Sequence, residues 1–263
     1  MVTLTKKRKH SKVSQKKITT KSNRLNLGAN NKNIRITKNV KKVTSKIGTS
    51  DFTIDFMLDI IKRSSIKNAC YTGKRSLIKD WADFAITYFE KDTLIEFPTQ
   101  FGRTIRSFFK FLDSCKKRFV VLPLLMILKS GSVHFNMVIY DTKDKELERF
   151  EPYGGKVKTK FDKLFKMYID VFIDNVTYFE PLTFCPNISF QQLNETYGTI
   201  LSTDPGGFCT IWSLWYMEMR LKYPDKSRKK IIDIAIKDIS ENKKGYRNFI
   251  RNYTLDYAKS KNN

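Results

Sequence analysis

Histidine is scarce in this 263-residue chain: there are two, and His10 lies in a basic N-terminal tail. Chemistry that needs an imidazole in the folded part therefore falls to His134. Cysteine is nearly as scarce. Cys70, Cys115, Cys185 and Cys209 stand far apart, with no Cys-x-x-Cys pair. That spacing argues against a zinc site and against a disulfide framework, and it predicts a reducing, intracellular compartment. No apolar segment follows the basic start, so no secretory leader is expected. The longest apolar run, over residues 119–128, has ten residues, too few to span a bilayer. No cofactor and no metal is expected.

Acidic residues are missing from one region altogether. Residues 1–47 carry fifteen Lys and Arg, no Asp or Glu and no aromatic residue, within a chain of net charge +24. Such a segment buries too little apolar area to offset the entropy of ordering and is expected to be disordered. Its run Lys6-Lys7-Arg8-Lys9 is compatible with a nuclear-import address, with an arm for nucleic acid or acidic surfaces, or with a solubilising tail. Nonspecific contact with nucleic acid at low salt is expected in every case.

The whole chain is 41% hydrophobic, and residues 48–263 suffice for one core. Apolar stripes of helical spacing predict helices over 51–63, 76–89 and 101–112, so 48–117 reads as a helical N-terminal part. The texture then changes. The run over 119–128 suits a strand buried on both faces, and strands over 133–140 and 146–151 follow, separated by the polar turn 142–145. A helix over about 160–173 and a short strand near 176–179 come next. Residues 181–204 read as mostly irregular, and helices over 209–221, 227–240 and 245–258 close the chain. The expected plan is α+β, a small mixed sheet flanked by helices, with 118–225 as the core of interest and 226–263 as C-terminal helices.

Pairing arithmetic brings two polar residues together. If residues 142–145 form a four-residue turn, Asp141 lies opposite Glu146 and Asn136 opposite Glu151. His134 and Glu151 then share a face as diagonal neighbours, about 7–8 Å apart at the backbone. A register slip of one residue would separate them. Asp141 and Asp204 are rival acids, with no comparable route to His134. Cys209 follows Asp204-Pro205-Gly206-Gly207 and opens an apolar helix. A thiol there sits beside free backbone N–H groups and the positive end of the helix dipole, which favour a thiolate and could hold an oxyanion. A cysteine, a histidine and an acid are the parts of a thiol nucleophile system.

The order His134, Glu151, Cys209, with seventeen positions between histidine and acid, resembles the ubiquitin-like-specific protease superfamily, which includes the SUMO proteases and the adenovirus protease. Two segments, 134–154 and 207–221, look like uncharacterised thiol-protease homologues of giant DNA viruses. The resemblance implies Cys209 as nucleophile, His134 as base, Glu151 as the residue orienting the imidazole, and an oxyanion glutamine ahead of the cysteine. Gln191 is the candidate, with Gln192 as the alternative. The chain departs from the SUMO proteases in having Phe135 where they carry tryptophan, Glu151 where they carry aspartate, and a longer gap between glutamine and cysteine. Glutamate as the acid also resembles bacterial effector acetyltransferases.

The implied activity is that of a cysteine-type endopeptidase or isopeptidase from a large DNA virus. Its substrates would be viral precursor proteins or ubiquitin-like conjugates, met in the host cytoplasm or virion. Two alternatives stay open: an acyltransferase with the same triad, and an inactive, basic virion protein associated with nucleic acid.

Overall fold

The apolar run expected as a doubly buried strand is the centre of the sheet. A computed structural model describes residues 45–63, 69–71, 80–101, 104–156, 159–187, 190–191, 208–241 and 245–260. Within it the run forms β4 (Phe119–Ile127). Around it lie β1 (Ala69–Tyr71), β2 (Ile86–Phe89), β3 (Leu94–Glu96), β5 (Val133–Asp141), β6 (Glu146–Phe150) and β7 (Thr177–Phe179). The sheet runs β3-β2-β4-β5-β6-β7, and β1 also pairs with β4. It is mixed: β1 and β2 run parallel to β4, and β7 runs parallel to β6. The β2/β3, β4/β5 and β5/β6 pairs are antiparallel. The seven strands make a larger sheet than the small one expected from the sequence.

One edge of β4 serves two strands end to end. Residues 119–121 pair with β1 and 124–127 with β2. Leu122 and Pro123 fall between them, with no described partner on that edge. Proline has no N–H to give a ladder, so this gap is where a central strand can hold one.

Helices cover both faces. α1 (Ser50–Arg63), α5 (Cys209–Lys222), α6 (Arg228–Glu241) and α7 (Gly245–Ser260) share a core with Phe119, Val121, Met137, Ile139 and Phe150. α2 (Ile105–Ser114) and α3 (Lys160–Phe172) pack against the alternate residues Val120, Leu122, Leu124, Val138 and Tyr140. The alternation is what a pleated strand imposes. A one-turn helix, α4 (Pro181–Phe184), lies between β7 and α5.

Three expectations are corrected. The helix read over 76–89 is not continuous: the described part has a short 3₁₀ turn at Trp81–Asp83, and Ile86–Phe89 is a strand paired with β4. The stripe Trp81, Phe84, Ala85, Tyr88 fits a helix. The β-branched and aromatic run Ile86-Thr87-Tyr88-Phe89 nonetheless suits a pleated strand with alternating burial, and tertiary pairing decides. With β1 and β3, this puts three strands in the part read as helical.

The third correction concerns cysteine. Cys70 on β1 and Cys115 at the end of α2 form a disulfide with a Cα–Cα distance of 6.4 Å. That pair overturns the expected reducing compartment and suits a non-reducing environment. Residues 1–44, most of the tail expected to be disordered, lie outside the described residues. So do Gln192 and 201–207, with the turn before Cys209. No helix among the described residues is long and apolar enough to cross a membrane.

Candidate active site

The register of β5 and β6 positions the first two candidates. Asp141 pairs with Glu146 and Met137 with Phe150, the alignment expected from the four-residue turn. Asp141 holds that turn by accepting from the N–H groups of Lys143 (3.1 Å) and Asp144 (3.4 Å). It is also ion-paired to Arg118 at 3.1 Å. As a rival acid Asp141 is therefore committed at the opposite end of β5 from His134.

At the other end the ladder stops at Phe150 and the chain turns sharply. The Gly154 N–H donates to the Glu151 carbonyl at 2.9 Å, and Gly154 adopts φ +91°. Gly155 follows in backbone contact with the next layer: a Cβ there would lie 2.9 Å from the Pro181 carbonyl and 3.0 Å from that of Cys185. Only glycine allows that approach.

Glu151 and His134 meet as the shared face predicts. His134 Nε2 lies 2.6 Å from Glu151 Oε1, and both residues are buried. Glu151 is fully engaged. Oε1 also accepts from the Tyr153 N–H at 2.8 Å, and Oε2 accepts from Arg149 Nη1 at 3.0 Å. Burial alone would raise its pKa, but the His134 hydrogen bond, the charges of His134 and Arg149 and the Tyr153 N–H hold it below the ordinary carboxylate value.

His134 shows the same contest with the opposite sign. Burial disfavours its charged form. The hydrogen bonds to Cys209 and Glu151 and the charges of the two groups overcome this and push the pKa to about 9. With Nε2 facing Glu151, the imidazole has Nδ1 left for the thiol. Tyr153 packs beside it, ring centroids 4.8 Å apart.

Cys209 is the first residue of α5, a free thiol and partly exposed. The N-cap, Phe208, is buried and contributes no side-chain hydrogen bond to the first turn. α5 is buried nearly all round from Thr210 to Met217. It is tied to the sheet where Phe150 stacks on Tyr216, centroids 4.3 Å apart, and where the Tyr216 and Arg220 side chains each donate to Glu148 at 2.8 Å. These contacts fix the helix whose first residue carries the thiol.

Gln191 is buried, and its Nε2 donates to the Tyr153 hydroxyl at 3.0 Å. It thus stands one side chain away from the imidazole.

Two neighbours escaped the sequence reading, Arg149 and Asp162, whereas the pairing arithmetic already sets Tyr153 opposite His134. Arg149 is wholly buried and forks onto Asp162, with both bonds 2.8 Å. A partial signal was present. Glu146-Leu147-Glu148-Arg149-Phe150-Glu151 puts four charges on a strand, and a sheet covered on both faces must pair them. Among the described residues no group of three or more His, Cys, Asp or Glu could hold a metal ion.

No family model matches the chain. A curated protein of Acanthamoeba polyphaga mimivirus, named as ankyrin repeat protein L371, is 33% identical over 173 residues. The match covers 60% of this chain and 22% of that protein, so the chain spans under a quarter of the length of its relative. Among solved structures, the Legionella pneumophila effector RavZ is similar at 10% identity and a TM-score of 0.38, over 72% of this chain and 57% of that one. The Chlamydia trachomatis effector Cdu1, solved bound to ubiquitin, is similar at 11% identity and a TM-score of 0.37, over 55% of this chain and 62% of that one. At these TM-scores neither likeness decides a fold or a function. The architecture established by the chain's own elements is an α+β fold, a mixed sheet flanked by helices with Cys209 at a helix N-terminus.

Proposed function

We propose that the chain is a thiol hydrolase, a cysteine-type endopeptidase or isopeptidase built on Cys209, His134 and Glu151. The observation that carries this reading is one imidazole held between a buried carboxylate at 2.6 Å and a free thiol at a helix N-terminus. In the proposed cycle the Cys209 sulfur attacks the substrate carbonyl carbon. The carbonyl π electrons move to oxygen, where Gln191 and the Cys209 N–H donate to the oxyanion. His134 delivers its proton to the leaving amine as the C–N bond breaks, giving a thioester. His134 then takes a proton from water, whose oxygen displaces the thiolate. Glu151 fixes the ring orientation throughout.

The segment shared with the mimivirus protein supports an origin in a large DNA virus, and viral precursors or ubiquitin-like conjugates are the proposed substrates. The test is alkylation by iodoacetamide across pH, read by peptide mass spectrometry, in wild type and His134→Ala. We expect Cys209 to label rapidly near pH 6 and Cys185 slowly, with the advantage of Cys209 lost in the variant. If Cys209 labels no faster than a thiol of the unfolded chain, with or without His134, it is a core residue and the reading fails.

A further inference from the structure

A second buried charge pair lies directly behind Glu151, on the side away from His134. Arg149 directs Nε and Nη2 to the two oxygens of Asp162, both at 2.8 Å. Its remaining nitrogen, Nη1, donates to Glu151 Oε2 at 3.0 Å and to the Asn136 side-chain oxygen. The Phe161 ring lies under the guanidinium at 5.7 Å. Asp162 is held in turn by the Tyr178 hydroxyl at 2.7 Å and Thr159 Oγ1 at 3.3 Å. The partners come from β5, the turn after β6, α3 and β7, so four parts of the chain converge on the Arg149–Asp162 pair.

We propose that Arg149 and Asp162 are positioning residues for the thiol centre, a buried pair that keeps Glu151 ionised and aligned and so sets how firmly His134 keeps its proton. The proposal rests on the reading of Cys209, His134 and Glu151 given above.

A buried ion pair is weak as a source of stability, since well-packed apolar residues often replace one at no loss. This pair has a geometric job. The planar fork is locked by Asp162, which leaves Nη1 one direction in which to point, and Glu151 Oε2 is there. Lysine, a point charge, could not serve both acids in this way.

Charge accounting gives the second half. One guanidinium is shared by two carboxylates, so Asp162, Arg149 and Glu151 together carry one net negative charge. A protonated His134 neutralises it. The other groups facing this cluster are the Cys209 thiol on α5, the Cys185 thiol after α4, the Tyr153 ring and N–H on the turn after β6, the Tyr178 hydroxyl on β7 and the Tyr88 hydroxyl on β2. Removing the Asp162 charge leaves Arg149 to be balanced by Glu151 alone, and the imidazole then holds its proton less firmly.

The chain has two histidines, so in a full-length His10→Ala background the ring signals seen by NMR belong to His134. We expect Asp162→Asn to lower the His134 titration midpoint by about one pH unit, a tenfold loss of proton affinity. Asp162→Glu, which keeps the charge, should titrate close to the parent. In the parent itself the Arg149 Nε–H should exchange slowly with solvent at pH 8, as a forked and buried donor does. A folded Asp162→Asn chain, with near-UV circular dichroism unchanged and the His134 midpoint unmoved, overturns the proposal. So does an Arg149 Nε–H that exchanges like that of an exposed arginine, which decides the matter even if Asp162→Asn does not fold. In either case rapid, His134-dependent labelling of Cys209 would leave the thiol reading standing. Loss of that labelling in the parent chain would remove both.

Discussion

The proton on His134 should be visible in the stability of the whole domain. Its folded-state pKa is about 9 against 6.5 for an unperturbed imidazole. A group whose pKa is raised by folding stabilises the fold fully below its unfolded pKa, and that contribution is lost as pH rises through the folded value. The loss therefore falls between about pH 6.5 and 9. At 1.36 kcal/mol per pKa unit it amounts to about 3 kcal/mol, a large share of the ~5–15 kcal/mol typical of a domain. Urea unfolding of the disulfide-intact chain at pH 6, 7.5 and 9.5 measures it, compared at each pH with His134→Gln. The gap between the two proteins should shrink by about 3 kcal/mol across the series. Cys209→Ala and Glu151→Gln should each flatten the dependence, because the hydrogen bonds and charges of both partners lift the imidazole. Parallel stability curves for wild type and His134→Gln would refute the argument, since the ring would then bind its proton no more tightly folded than unfolded.

Two further predictions concern what holds the site in place. The Cys70–Cys115 disulfide closes a loop with a sequence separation of 45, so reduction, or replacement of both cysteines by serine, should cost about 4 kcal/mol. An unchanged melting temperature under dithiothreitol would contradict this. Gly155→Ala drives a methyl against the backbone carbonyls of Pro181 and Cys185 at 2.9 and 3.0 Å. A loss of about 1–3 kcal/mol is expected, together with slower Cys209 labelling as the Glu151 turn shifts. A variant as stable as the parent would show that the contact is not tight.

Part of this was legible in the sequence because it was local. The turn at 142–145 and the period-two geometry of strands were enough to bring Glu151 to His134 across seventeen residues. The continuous run over 119–128 announced a strand without a wet face. What stayed hidden depended on distant partners. Ile86–Phe89 carries apolar residues that fit a helical stripe, and only the open edge of β4 draws it into the sheet. Cys70 and Cys115 carry no local mark of pairing, because their meeting requires β1 to lie beside β4 and α2 to end above it. Arg149 reads as an ordinary strand charge until α3 closes over that face with Asp162 in its first turn.

The alternation of β5 has a consequence for how the molecule comes to life. α5, which delivers the thiol, packs on the layer of Phe135, Met137 and Ile139, whereas His134 belongs to the opposite layer with Val138 and Tyr140. On the function proposed here, nucleophile and base are thus supplied from two sides of one sheet and can meet only once both have condensed onto it. A chain still emerging, or one that has lost either layer, carries a cysteine but no armed one. On the function proposed here, such a chain is harmless to its neighbours and to itself until folding is complete.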